Sequence, residues 1–257
     1  MNSLLSSSNH LKISSSIFSF LLSTAIITQT SGQLDKGNTK NISNSHFISC
    51  NGFKGSAIYS EYDHVIIQSC YFKNISCNFG TIFLSHSTTS NISNCFFIEN
   101  QAKSLSAGLL IDTSVESKNV KNSICHCNFS QQVSNMVSAI DIWGGTNYVS
   151  YCQVSNSCST FRAASIRIHN ELIKLQLQYL TFTNLTSPKD GVALSLTPSK
   201  ICFSLNHCYF FKLHCNETKN FAICVDSRST VEINDVKGDE PNFLFNVNLS
   251  QLLKKKQ

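Results

Sequence analysis

The sequence predicts an all-β fold, a right-handed parallel β-helix of about seven to eight coils. Two observations carry that prediction. Two short motifs recur in step along the 257-residue chain, and the residues inside them alternate with period two rather than 3.6.

The first motif is an aliphatic residue, two polar or small residues, then Cys, Ser or Leu, any residue, and an aromatic or Val. It reads ISNSHF (42–47), IQSCYF (67–72), ISNCFF (92–97), ICHCNF (124–129), VSYCQV (149–154), LQYLTF (177–182) and LNHCYF (205–210). Its fourth position falls at 45, 70, 95, 127, 152, 180 and 208, so the steps are 25, 25, 32, 25, 28 and 28 residues. The second motif follows in every copy: GSAIYS (55–60), GTIFLS (80–85), AGLLID (107–112), SAIDIW (138–143), ASIRIH (164–169), VALSLT (192–197) and AICVDS (222–227).

Alternation identifies both motifs as strands: Val192, Leu194 and Leu196 share one parity. Cys70 and Phe72 share a parity that Ile67 does not, so for all three to point inward the chain must bend at Gln68 and Ser69. Coils of this kind stack, and each motif position becomes a column with a rung spacing of about 4.8 Å. The inward columns are Cys70, Cys95, Cys127, Cys152, Leu180 and Cys208, and beside them Phe47, Phe72, Phe97, Phe129, Val154, Phe182 and Phe210. Both read as core packing.

Composition agrees with a solenoid that has a neutral polar surface. Hydrophobic residues make up 42% and charged residues only 14%, whereas the chain holds 41 Ser, 16 Thr and 26 Asn. The net charge of +5 comes partly from the Lys run at 254–256, and the other basic residues are scattered singly. That distribution argues against nucleic acid as a partner.

An inward column of cysteines is explained by size, because free Cys packs as a small hydrophobe. Cys50 and Cys77 fall near a turn on adjacent coils and are the one candidate disulfide. No cofactor is expected. CHC at 125–127 has no second Cys/His pair at zinc-site spacing, so no metal is expected either.

The outward positions of the second motif give the column Tyr59, Phe83, Leu110, Asp141, Arg167, Ser195, Cys224, and beside it Glu61, Ser85, Asp112, Trp143, His169, Thr197, Asp226. Asp112, Asp141, Trp143, Arg167 and His169 therefore share one exposed face. That face is the candidate binding site, with Trp143 as a stacking platform for a sugar. The competing reading is a cross-strand Asp141–Arg167 ion pair on a solvated surface. Hydrolysis would need two placed carboxylates, and Asp112 and Asp141 lie in different columns with no third acid beside them, so no catalytic residue is assigned.

With these motifs the sequence resembles right-handed β-helix proteins of the pectin-lyase-like superfamily, especially polymorphic outer-membrane-protein-like repeats. GSAI (55–58), SAI (138–140) and FIEN (97–100) echo that family's Gly-Gly-Ala-Ile and Phe-x-x-Asn motifs. The Cys- and Asn-rich character is similar to surface-protein families of parasitic protists. The resemblance implies a cell-surface or extracellular protein that adheres to a glycan or a protein. The alternative it implies is a carbohydrate-active enzyme, a polysaccharide lyase or glycoside hydrolase, on the same scaffold; a third reading is a piece of a longer adhesin.

Three regions follow. Residues 1–33 read either as a signal peptide, with IFSFLLSTAII (17–27) as its core, or as a first coil, because ISSSIF (13–18) fits the first motif. Residues 34–227 are the coils, and 228–257 a last partial coil, a cap and a basic tail. No apolar run is long enough for a transmembrane span.

Overall fold

The computed structural model describes residues 4–6, 10–29, 39–61, 63–87, 89–113, 120–161, 165–188, 191–196, 202–215, 222–225, 230–239, 245–246 and 252–254. Every described regular element is a β-strand, and every strand pairing is parallel, in one continuous solenoid sheet. The chain is an all-β parallel β-solenoid.

Each coil contributes strands to three main ladders, and a shorter fourth runs through Ser76–Cys77, Gln101–Ala102 and Val133–Ser134. The second motif builds the first: Ile58–Glu61, Ile82–Ser85 and Leu109–Asp112 pair in register and continue into Ile140–Ser150 and Ile166–Gln178. The aliphatic start of the first motif builds the second, in which Ile13, Ile42, Ile67, Ile92, Ile124, Val149, Leu177, Leu205 and Ile233 are successive partners. The aromatic end of that motif builds the third, through His46–Ile48, Tyr71–Lys73, Phe96–Ile98 and Asn128–Ser130.

The coil count departs slightly from the seven to eight expected. Strands pair outside the motif copies, as Leu4–Ser6 does with Ile26–Gln29, and neighbouring segments fuse into long strands such as Cys202–Cys215.

The expected bend lies at Ser69, whose φ of 54° is left-handed. Asn44, Asn94, His126, Tyr151, Tyr179, His207 and Asp235 repeat it at the same place in their own coils. A non-glycine residue there carries strain of about 1 kcal/mol or more. The ladder hydrogen bonds hold it in place: the bend N–H of Asn44, Ser69, Asn94, His126, Tyr151 and Tyr179 each donates to a carbonyl of the next coil at 2.9–3.1 Å.

This geometry gives the inward cysteines a role beyond filling space. Each anchor thiol reaches back across the bend to the carbonyl two residues earlier: Cys70 to Gln68 at 3.3 Å, Cys95 to Ser93 at 3.2 Å, Cys127 to Cys125 at 3.3 Å and Cys152 to Ser150 at 3.2 Å. Ser45 does the same to Ser43 at 2.8 Å, which explains why Cys and Ser interchange at the anchor. A small side chain with one donor satisfies both the packing and the bend.

Beside the thiols runs a ladder of rings, buried except for half-buried Phe18 at its start. Phe18, Phe47, Phe72, Phe97 and Phe129 stack with centroids 4.9, 4.9, 4.7 and 4.6 Å apart. Val154 interrupts the ladder, and Phe182 and Phe210 resume it at 5.1 Å.

Cys50 and Cys77, the candidate disulfide, are both free thiols. Cys50 sits in the main core with its thiol toward Ile48 and Phe18 carbonyls, whereas Cys77 lies in a separate small cluster with Ala102 and Ala107 and points to the Gln101 carbonyl. Their side chains serve different layers of the solenoid, so adjacency of coils does not bring them together. Among the described residues no helix is long and apolar enough to cross a membrane.

Candidate binding surface

The columns read from the second motif are the columns of the fold. Tyr59, Phe83, Leu110, Asp141, Arg167, Ser195 and Cys224 are successive register partners, as are Asp112, Trp143 and His169. The five candidate residues therefore do lie on one ladder over three coils.

Their surroundings differ from the expectation of an exposed face. Asp141 is 0% and Arg167 7% exposed, and Phe83 and Leu110 in the same column are buried. Segments entering several of these strands fold across this face. A Cβ on Gly80 would stand 3.1 Å from the Leu110 Cβ, one on Gly191 would stand 3.0 Å from the Cys224 Cβ, and the Lys54 ammonium lies over the Tyr59 and Phe83 rings. Alternation says which side chains leave the core, and it does not say what returns to cover them.

Inside this cover Arg167 donates through Nε to Asp141 Oδ1 at 3.0 Å and through Nη2 to Oδ2 at 2.6 Å. Such a fork is the strong form of the ion pair, and it occupies both carboxylate oxygens. Asp141 is thereby committed to structure. Trp143 is half-buried, and its carbonyl accepts from the Thr113 N–H and hydroxyl at 2.9 and 2.6 Å. Asp112 is half-buried too, and the His169 side chain lies outside the described residues.

The CHC run also resolves geometrically. Cys127 points inward, while His126 is exposed on the bend between it and half-buried Cys125, so the three do not converge. No group of three metal-ligating side chains stands among the described residues.

A different set of side chains does reach solvent in an ordered array. At the bend, His126, Tyr151, Tyr179 and His207 stack one above the next with centroids 4.7, 4.6 and 4.7 Å apart and planes within 5–8° of parallel. Tyr151 is 49% and Tyr179 41% exposed. The left-handed bend turns these side chains outward, and the strand spacing sets their separation.

Neutral polar residues flank the rings: Ser150, Gln178 and Asn206 before the bend, Gln153 and Thr181 after it, all at least partly exposed. At one end the array closes on a charged cluster. His207 Nδ1 lies 2.9 Å from Asp235 Oδ2, the Tyr209 hydroxyl donates to the same oxygen at 3.3 Å, and Lys237 Nζ lies 2.9 Å from Oδ1. The Lys237 ammonium first, then His207, pull the Asp235 carboxyl down to about 2.

The first motif carries a signal for this array that a grouping by polarity hides. The third position of the first motif was grouped as polar or small, yet in ICHC, VSYC, LQYL and LNHC it is His126, Tyr151, Tyr179 and His207 in four consecutive copies. An aromatic or imidazole at a bend, repeated in register, marks an exposed stack.

The fold defines the class of protein, an all-β parallel solenoid. No family model, curated protein or solved structure matches the chain.

Proposed function

We propose that the protein is a non-enzymatic binding protein that takes a neutral glycan along the His126–Tyr151–Tyr179–His207 corner, in a cell-surface or extracellular setting. The observation that carries this reading is the exposed ring array itself. Its members stack face to face, so they turn edges, hydroxyls and ring nitrogens outward at a regular 4.6–4.7 Å interval. Aromatic groups with a polar tip suit a partner that has both C–H surface and hydroxyls.

The array is periodic, which favours a polymer: weak contacts repeated along one chain add through effective concentration. The flanking Ser, Gln, Asn and Thr supply uncharged donors and acceptors, which is why a neutral glycan is preferred to an acidic one. The echoes of pectin-lyase-like and outer-membrane-protein-like repeats support the surface setting. Catalysis on the same scaffold is the weaker reading, because Asp141 is fully buried with both its oxygens accepting from the Arg167 guanidinium.

The test is a glycan-array screen on the full chain run beside a reducing-sugar release assay on the same panel. Binding without release is expected, with Tyr151→Ala and Tyr179→Ala each lowering affinity about tenfold (~1.4 kcal/mol). Release of sugar, or binding untouched by both substitutions, would overturn the proposal.

A further inference from the structure

Lys40 occupies a place that a lysine seldom takes. It points into the solenoid in the column Leu11, Lys40, Val65, with 1% of its side chain exposed. Beside it, at the entrance to His64–Gln68 on the next coil, is Asp63, whose side chain is 0% exposed. The Lys40 Nζ lies 3.7 Å from Asp63 Oδ1, and the Ser60 hydroxyl donates to Asp63 Oδ2 at 2.7 Å.

The Lys40–Asp63 contact is long for an ion pair. Two charges taken out of water are repaid only by close, well-aligned contact, and 3.7 Å is well beyond the roughly 2.7–2.9 Å of a charge-assisted hydrogen bond. The contrast with the Asp141–Arg167 fork, at 2.6 and 3.0 Å, is internal to the same molecule. Both side chains are shut off from bulk water, and the Lys40 nitrogen faces the Asp63 carboxyl. A neutral lysine amine is a nucleophile.

We propose that Lys40 and Asp63 condense into an intramolecular isopeptide bond that joins consecutive coils. The ammonium gives one proton to Asp63 Oδ1. The Nζ lone pair then attacks Cγ, forming the new N–C bond and placing negative charge on Oδ2, where the Ser60 hydroxyl already donates. A second proton moves from nitrogen to Oδ1, the Cγ–Oδ1 bond breaks, and Oδ1 leaves as water while Oδ2 becomes the amide carbonyl. One ammonium and one carboxylate yield one amide and one water, with no oxidant or reductant. The product replaces two buried charges with a neutral group.

The experiment is intact-mass spectrometry of the purified full chain under denaturing, reducing conditions, followed by tryptic mapping. The expected result is a mass short of the sequence by one water, no cleavage after Lys40, and a branched peptide that carries Lys40 and Asp63 together. Lys40→Arg removes the nucleophile, keeps the charge, and is expected to restore the full sequence mass. An unmodified wild-type mass overturns the proposal. So does a water loss with Lys40 still cleaved by trypsin, which would place a succinimide at Asp63, and so does a water loss that persists in Lys40→Arg.

Discussion

Asp141→Leu separates structure from function at the face that first looked like a site. Asp141 is fully buried, both its oxygens accept from Arg167, and its register neighbour Leu110 already presents a leucine to the same cover. Removing the carboxylate strands the Arg167 guanidinium in the interior, which costs about 3–5 kcal/mol. For a chain of this size each kcal/mol moves the melting temperature by roughly 2–4 °C, so a drop on the order of 10 °C is expected. The double variant Asp141→Leu/Arg167→Leu leaves no charge behind and should recover most of the loss, because apolar replacement of a buried pair is often neutral or stabilising. The assay is a double-mutant cycle by urea and thermal unfolding, with glycan binding measured on each variant. If Asp141→Leu leaves stability unchanged and abolishes binding or turnover, the carboxylate is functional and the structural assignment is wrong.

Two further outcomes test the core. Phe97→Ala removes a buried ring that stacks on both Phe72 and Phe129 and should cost about 3–5 kcal/mol, whereas Phe96→Ala, at an exposed position of the same strand, should stay within about 0.5 kcal/mol. Equal urea midpoints for the two would contradict the assignment of inward and outward columns. Burial pushes the Cys77 and Cys208 thiols up to about 12, above the unfolded value of roughly 8.5. Below that unfolded value both states are protonated and the full stability is present; between it and 12 the unfolded chain binds fewer protons, so stability falls as pH rises. Urea midpoints from pH 7 to 11 should therefore decline, and a flat profile would mean that these thiols are not buried.

Much of this architecture was legible because stacking converts sequence period into spatial neighbourhood. Aligning the copies was enough to name Arg167 as the partner of Asp141 and to narrow the bend to Gln68 and Ser69, of which Ser69 takes the left-handed φ. What could not be read was anything that depends on a segment crossing a neighbouring coil. The cover over this column comes from stretches such as the one around Gly80, whose contact with Leu110 has no local signature beyond a glycine with φ of 66°. Cys50 stands five residues after its anchor and Cys77 seven, so with Asn51 paired to Ser76 the two cysteines are out of register and face different layers. The aromatic corner was missed for another reason: its residues stand at a bend, where period two no longer separates inside from outside.

The gap in the phenylalanine ladder bears on how such a chain resists being pulled apart. In a solenoid each coil touches only its neighbours, so tension or unfolding passes through the joints in series and the weakest joint limits the whole. Val154 leaves two joints without a ring pair, one to the coil of Phe129 and one to the coil of Phe182, and by that measure the second is among the weakest. Yet the same two coils are fastened by the Asp141–Arg167 fork on one side, by Tyr151 on Tyr179 at the bend, and by the Asn184 amide donating to Asn156 at 2.8 Å on a third side. The missing ring is thus met by three fasteners spread around the circumference, and a pull along the axis at that joint is shared among them.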